Sequence, residues 1–142
     1  MQLWLVFFGP GQGWEWWKAL LRPGFCHVSA AAWNIEAERW VWVDACRAGV
    51  TIEVWGAEAF SARLGLLMRD STVILRVPSA EQRGMHPLSW GCVGMVKALL
   101  GIKSSALLPH QLYRHLLANG AEIVEVPSGQ LSEAESGPRG AD

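Results

Sequence analysis

The sequence predicts a single α+β domain in which an antiparallel β-meander packs against helices. Across residues 25–77, short segments rich in Val, Ile and Trp have the length and the alternation of β-strands. Two later segments, 92–100 and 109–119, instead repeat apolar residues at helical spacing. The chain has 142 residues, of which 51% are apolar and 18% are charged, so it is long enough for one domain with one hydrophobic core.

Six strands are predicted along the chain. Residues 3–8 form a short apolar run that is expected at the edge of the sheet, and the Gly-Pro-Gly-Gln-Gly stretch at 9–13 breaks the chain after it. Residues 14–21 are expected to form a helical turn or a loop arm. The other strands are predicted at 25–33, 39–46, 50–55, 71–77 and 121–126.

Three helices are predicted from apolar residues that fall on one side of a helix. Their apolar stripes are Phe60–Leu64–Leu67, Val93–Val96–Leu100 and Leu112–Leu116–Leu117. Gly101 stands where a C-cap glycine belongs, and Pro109 suits the first position of the last helix. From 127 to 142 the chain is rich in Ser, Gly, Glu and Pro, which predicts a disordered tail after a domain at 1–126.

Charge and composition exclude several classes of function. The net charge is −1 and Lys and Arg form no run, so nucleic-acid binding has little support. The apolar run Leu3–Phe8 is too short to span a bilayer and follows no basic segment, so we expect no membrane span, no secretory signal and a cytoplasmic protein, unless it is carried in a larger particle. The three cysteines form no CxxC pair and have no zinc-like spacing with the four histidines, so no metal, cofactor or disulfide framework is expected.

Cys92 lies at the predicted start of a helix, directly after Ser89-Trp90-Gly91. Unpaired backbone N–H groups and the positive end of the helix dipole favour a thiolate at this position, as nucleophilic catalysis requires. Gly91 allows the backbone to come close to a substrate. The alternative is that Cys92 is a small buried residue on an apolar helix face.

His27 is the histidine that a simple hairpin places beside a carboxylate. If Asn34–Ala37 is a four-residue hairpin loop, His27 lies opposite Asp44, and the other side of the hairpin pairs Val28 with Val43. A neighbouring carboxylate fixes the tautomer of an imidazole and stabilises its charged form. The alternatives are a structural, hydrogen-bonded histidine and a solvent-exposed aspartate.

Other residues are weaker candidates. Glu53, on the next strand, could orient His27 in place of Asp44. His86 lies in the loop before Cys92, and Trp90 beside Cys92 is either a wall of the site or a plug under the loop, which we prefer slightly. Ser29 could also line the site. His110 and His115 are interpreted as surface residues of the last helix.

The order of these groups resembles the circularly permuted branch of the NlpC/P60 superfamily of papain-like cysteine peptidases, of the phage and prophage type. A strand His comes first and a Cys that opens a helix comes later, which reverses papain's order. The residues that carry the resemblance are Phe25-Cys-His-Val28, Trp90-Gly-Cys-Val-Gly-Met-Val-Lys-Ala-Leu-Leu-Gly101 and Leu108-Pro-His-Gln-Leu-Tyr-Arg-His-Leu-Leu117. The resemblance covers roughly residues 20–120.

The resemblance implies a permuted papain-like fold and acyl chemistry at Cys92. Cys92 would attack an amide or ester carbonyl, His27 would act as general base and then acid, and Asp44 would orient it. The implied substrates are peptides or amides, including peptidoglycan peptides, and phage particle proteins are implied partners. The chain departs from the pattern because no polar side chain can be assigned to the oxyanion. A non-catalytic phage structural or assembly protein and a lipid acyltransferase or thioesterase remain alternatives.

Overall fold

The computed structural model describes residues 2–13, 15–46, 48–79 and 91–124, which form one antiparallel sheet and three α-helices. The α+β class that the sequence predicts is therefore confirmed. A short 3₁₀ helix covers Trp16–Leu20. In chain order the elements are β1 Leu3–Gly9, β2 His27–Asn34, β3 Arg39–Cys46, β4 Gly49–Trp55, α1 Ala57–Asp70, β5 Val73–Pro78, α2 Gly91–Leu100, α3 Pro109–Ala118 and β6 Glu122–Ile123.

The sheet has the order β4-β3-β2-β1-β5-β6, so its first four strands form the predicted meander. The expectation that the first strand lies at an edge is wrong, because β1 pairs with both β2 and β5. Its consecutive residues Val6, Phe7 and Phe8 are all buried, although they point alternately to opposite faces. A continuous apolar run is typical of a strand that is covered on both faces.

Both faces of the sheet are covered, so the expectation of one hydrophobic core is also wrong. One face packs against α2 and α3 through a cluster that contains Val28, Val96 and Leu112. The other face packs against α1 through a cluster centred on Phe60, whose ring stacks on Trp40 at 4.0 Å between centroids. The sheet is therefore the middle layer of three.

The β2–β3 hairpin has a four-residue loop, but the loop is Ile35–Glu38 and not Asn34–Ala37. The Ala37 N–H donates to the side-chain oxygen of Asn34 at 2.8 Å, and Glu38 has a φ of 50°, which lets the chain enter β3. Because the loop lies one residue later, the pairing of the two strands differs from the predicted one by two residues. A shift of two leaves every side chain on its predicted face.

The remaining elements lie close to their predicted positions. All three helices are present, and the predicted stripe residues Val93, Val96 and Leu100 are buried. None of the helices in the described part of the chain combines the length and the apolarity needed to cross a membrane. The predicted tail at 127–142 and the loop that carries His86 and Trp90 lie outside the described residues.

Candidate active site

His27 and Asp44 lie close together at the open end of the β2–β3 hairpin, opposite its loop. The Nε2 atom of His27 lies 2.5 Å from Oδ1 of Asp44, so the ring and the carboxylate form a charge-assisted hydrogen bond. Asp44 lies directly opposite Ser29, and His27 is therefore its diagonal neighbour on the same face. The predicted direct pairing of His27 with Asp44 is wrong, but the two side chains are within reach because they share that face.

Cys92 is the second residue of α2, the helix that packs on β2 and β3. The buried side chains of Val93 and Val96 fix this helix against Val28 and the rest of the cluster. Gly91, the first helical residue, has a φ of +67°, a value in the left-handed region that favours glycine. The local sequence therefore places a half-buried thiol at the N-terminal end of a helix, beside the start of β2.

The His27 ring interacts with both Asp44 and Cys92. The hydrogen bond that the ring donates to Asp44, followed by a side-chain hydrogen bond with Cys92, raises the pKa of His27 to about 10, although burial of the ring opposes the change. Since Nε2 is bound to Asp44, Nδ1 is the ring nitrogen that is left to exchange a proton with the sulfur. The imidazole thus interacts with a carboxylate and with a thiol.

Opposing effects act on the thiol of Cys92. Burial by itself raises the pKa of Cys92, but the hydrogen bond and the positive charge of His27, together with backbone N–H groups of Val28 and Val93, outweigh it and lower the pKa. The sulfur and the imidazole therefore favour the ionised form of each other. This arrangement favours a thiolate at Cys92 and, beside it, a protonated ring that can act as an acid.

The sequence leaves Asp44 and Glu53 as alternatives for the third member of the site. The structure places Asp44 on the His27 ring, whereas Glu53 lies on β4 opposite Trp42. Asp44 of β3 lies opposite Thr51 of β4, which is two residues before Glu53. The carboxylates of Asp44 and Glu53 are therefore diagonal neighbours on the same face of the sheet. Of the two carboxylates, Asp44 is therefore the one that is bonded to His27.

The other residues considered from the sequence fall outside this arrangement. The interpretation of His110 as a simple surface residue needs correction, because its ring is half-buried and packs edge-on against Phe25 at 5.1 Å between centroids. Burial, with the charges of Arg22 and Arg114, lowers the pKa of His110. Ser29 is buried next to the site, on the face that carries His27.

The sequence does not indicate two neighbours of the site, Gly11 and Lys18. The sequence predicts only a chain break at 9–13, yet a Cβ on Gly11 would lie 3.2 Å from Cβ of His27 and 3.2 Å from Nζ of Lys18. Lys18 holds this loop by donating to the carbonyl oxygens of Gln12 and Gly13, at 2.7 and 2.8 Å. The positive φ of 70° at Gly11 is the one feature that the glycine-rich sequence indicates in advance.

The chemistry available at this site is proton transfer and nucleophilic attack by sulfur. Within residues 2–13, 15–46, 48–79 and 91–124, no group of three or more His, Cys, Asp or Glu side chains is arranged to hold a metal ion. Comparisons with protein-family models, with curated proteins and with solved structures found no match to this chain.

Proposed function

We propose that this chain is a cysteine hydrolase that cleaves amide or ester bonds through a thioester acyl-enzyme. The observation that carries the proposal is that one imidazole, that of His27, interacts with both the carboxylate of Asp44 and the thiol of Cys92. A nucleophile, a base within reach of it and a group that orients the base are the parts that nucleophilic catalysis needs.

The first half of the reaction forms the acyl-enzyme. The Cys92 thiolate attacks the substrate carbonyl carbon, a C–S bond forms and the carbonyl oxygen becomes an oxyanion. Backbone N–H groups of the first turn of α2, including that of Cys92, have no acceptor within the helix and would stabilise this charge. When the C–N or C–O bond breaks, the imidazolium of His27 gives its proton to the leaving amine or alcohol.

The second half releases the acid. His27, now neutral, accepts a proton from a water molecule as the water oxygen attacks the thioester carbonyl. The C–S bond then breaks, the acyl group leaves as a carboxylic acid, and the thiolate and the imidazolium are restored. Asp44 accepts a hydrogen bond from Nε2 throughout, which holds the ring in one orientation and leaves Nδ1 for the proton transfers.

Access to the site supports a substrate that enters from solvent. The side chains of His27 and Asp44 are 28% and 33% exposed, so the ring is covered enough to be oriented and open enough to be reached. The resemblance to permuted NlpC/P60 proteins favours peptide or amide substrates, including peptidoglycan peptides, and a phage origin. We include these in the proposal as its narrower part.

The proposal is tested with an activated ester, p-nitrophenyl acetate, and mass spectrometry of the protein. We expect an acetyl adduct on Cys92 and catalytic release of p-nitrophenolate, both lost in Cys92→Ser. His27→Ala is expected to slow turnover by about 10²- to 10⁴-fold, the usual contribution of general acid–base catalysis. Cys46→Ser, which removes an exposed thiol outside the site, is the matched control and should leave turnover unchanged.

Two results contradict the proposal: an adduct found on Cys46 and not on Cys92, or turnover that is insensitive to His27→Ala.

The narrower part of the proposal, peptide substrates, is tested separately with a panel of peptide amides and solubilised peptidoglycan fragments. Hydrolysis of the ester without any peptide amide would leave the thiol chemistry in place and exclude peptides as substrates.

A further inference from the structure

The outer strand β4 presents an unusual surface. It pairs with β3 along its whole length, Gly49–Trp55, and has no partner on its other side among the described residues. Three of its side chains are large, apolar and exposed: Val50 at 59%, Ile52 at 64% and Val54 at 59%. They point to the same face of the sheet because they alternate along the strand.

The position of α2 explains why these residues are exposed. The face to which they point is the one that α2 and α3 cover, but α2 packs on β2 and β3. Val43 on β3 is only 5% exposed, whereas its direct neighbour on β4, Ile52, is 64% exposed. The apolar face of the sheet therefore continues one strand beyond the helices.

The two edge strands of the sheet differ in how well they are protected against pairing with another strand. At the β6 edge the strand has two residues, and Arg76 of β5 forms an ion pair with Glu122. A short, charged edge resists pairing with another strand. The β4 edge has seven residues, contains no Lys, Arg or Pro and carries a single charge, that of Glu53.

We propose that β4 is the site at which a second copy of this chain docks, with the two β4 strands antiparallel about a two-fold axis at Ile52. Ile52 is the central residue of β4, so this register pairs all seven residues. Val50 of one copy lies opposite Val54 of the other, and Thr51 lies opposite Glu53. The exposed apolar side chains then cover one another, and the backbone donors and acceptors of both edges are satisfied.

Charge complementarity favours the register centred on Ile52 over the register centred on the next residue, Glu53. About Ile52, the carboxylate of Glu53 faces the hydroxyl of Thr51, which can donate a hydrogen bond to it. A register centred on Glu53 would instead place two carboxylates directly opposite each other, which is destabilising. A strand of this length spans only about 24 Å, so the dimer is expected to be reversible and dependent on concentration.

Sedimentation equilibrium over three decades of protein concentration tests the proposal. The weight-average mass of the wild type should rise from 15.6 kDa towards twice that value. Ile52→Lys should stay monomeric over the whole range. Ile123→Lys makes the same change at an exposed isoleucine of the opposite edge and should behave as the wild type does. Circular dichroism establishes that each variant is folded.

Cross-linking tests the register without relying on a destabilising change. In a Cys46→Ser background, Ile52→Cys places one thiol at the two-fold axis, and diamide should convert it to a disulfide-linked dimer. Ile123→Cys in the same background should not form this dimer. A wild type that is monomeric at every concentration overturns the proposal and leaves the edge for a strand of another protein. Equal behaviour of the Ile52 and Ile123 variants in either experiment overturns it as well.

Discussion

At the scale of single residues, the site depends on groups that stabilise each other's charge. The carboxylate of Asp44 favours the imidazolium form of His27, and the imidazolium favours the thiolate form of Cys92. The pKa of His27 is raised to about 10 and that of Cys92 is lowered, so both changes favour the ion pair at neutral pH. Each member therefore affects the others through its charge as well as its position.

Replacement of Asp44 by asparagine tests its role as the positioning residue. The amide can still bond to the ring but carries no charge, so the pKa of His27 should fall from about 10 towards its ordinary value of 6.5. NMR titration of the His27 ring measures this directly, and ester turnover should fall by up to about 10⁴-fold. Glu53→Gln is the matched control, because it neutralises the neighbouring carboxylate on the same face. An equal effect of the two substitutions would contradict the role of Asp44.

At the scale of elements, the alternation of side chains along a strand explains why the predicted neighbourhood of His27 and Asp44 held. The sequence predicts the hairpin loop one residue too early, yet His27 and Asp44 share a face as predicted, because a shift of two in strand pairing preserves the faces. The contact of His27 with Cys92 has a different origin. This contact depends on where α2 lies over the sheet. The hydrogen bond between the backbone N–H of Val28 and the Cys92 sulfur depends on the same placement of α2. Helical spacing predicts which face of α2 is buried, but not where that face lies along the strands.

At the scale of the whole molecule, one sheet joins two hydrophobic clusters. The sequence predicts apolar stripes for all three helices but does not predict that α1 covers one face and α2 and α3 the other. That division depends on the crossovers between elements, which periodicity does not encode. Since the central strands contribute side chains to both clusters, we expect the two clusters to lose their structure together.

Substitution of Phe60 by alanine tests this coupling. Phe60 is 2% exposed, so its removal should lower the free energy of unfolding by about 3–5 kcal/mol. Three of the nine tryptophans, including Trp40 and Trp42, belong to the α1 cluster, so tryptophan fluorescence contains a signal from that cluster, whereas far-UV circular dichroism reports on the whole fold. The two denaturation curves should shift together and stay coincident. Separate transitions in the variant would show that the two faces unfold independently.

The pH dependence of Cys92 alkylation by iodoacetamide tests the central claim most directly. The thiolate is the reactive form, so a thiol whose pKa is lowered keeps its alkylation rate as the pH falls below 9.0, the ordinary value. We predict that at neutral pH Cys92 reacts faster than the exposed Cys46, as measured by peptide mass spectrometry. In His27→Ala only burial and the backbone N–H groups still act on Cys92. Its rate should therefore fall about tenfold for each unit by which its pKa rises above the pH. A pH profile of Cys92 that is the same in the wild type and in His27→Ala would contradict the pairing of thiolate and imidazolium.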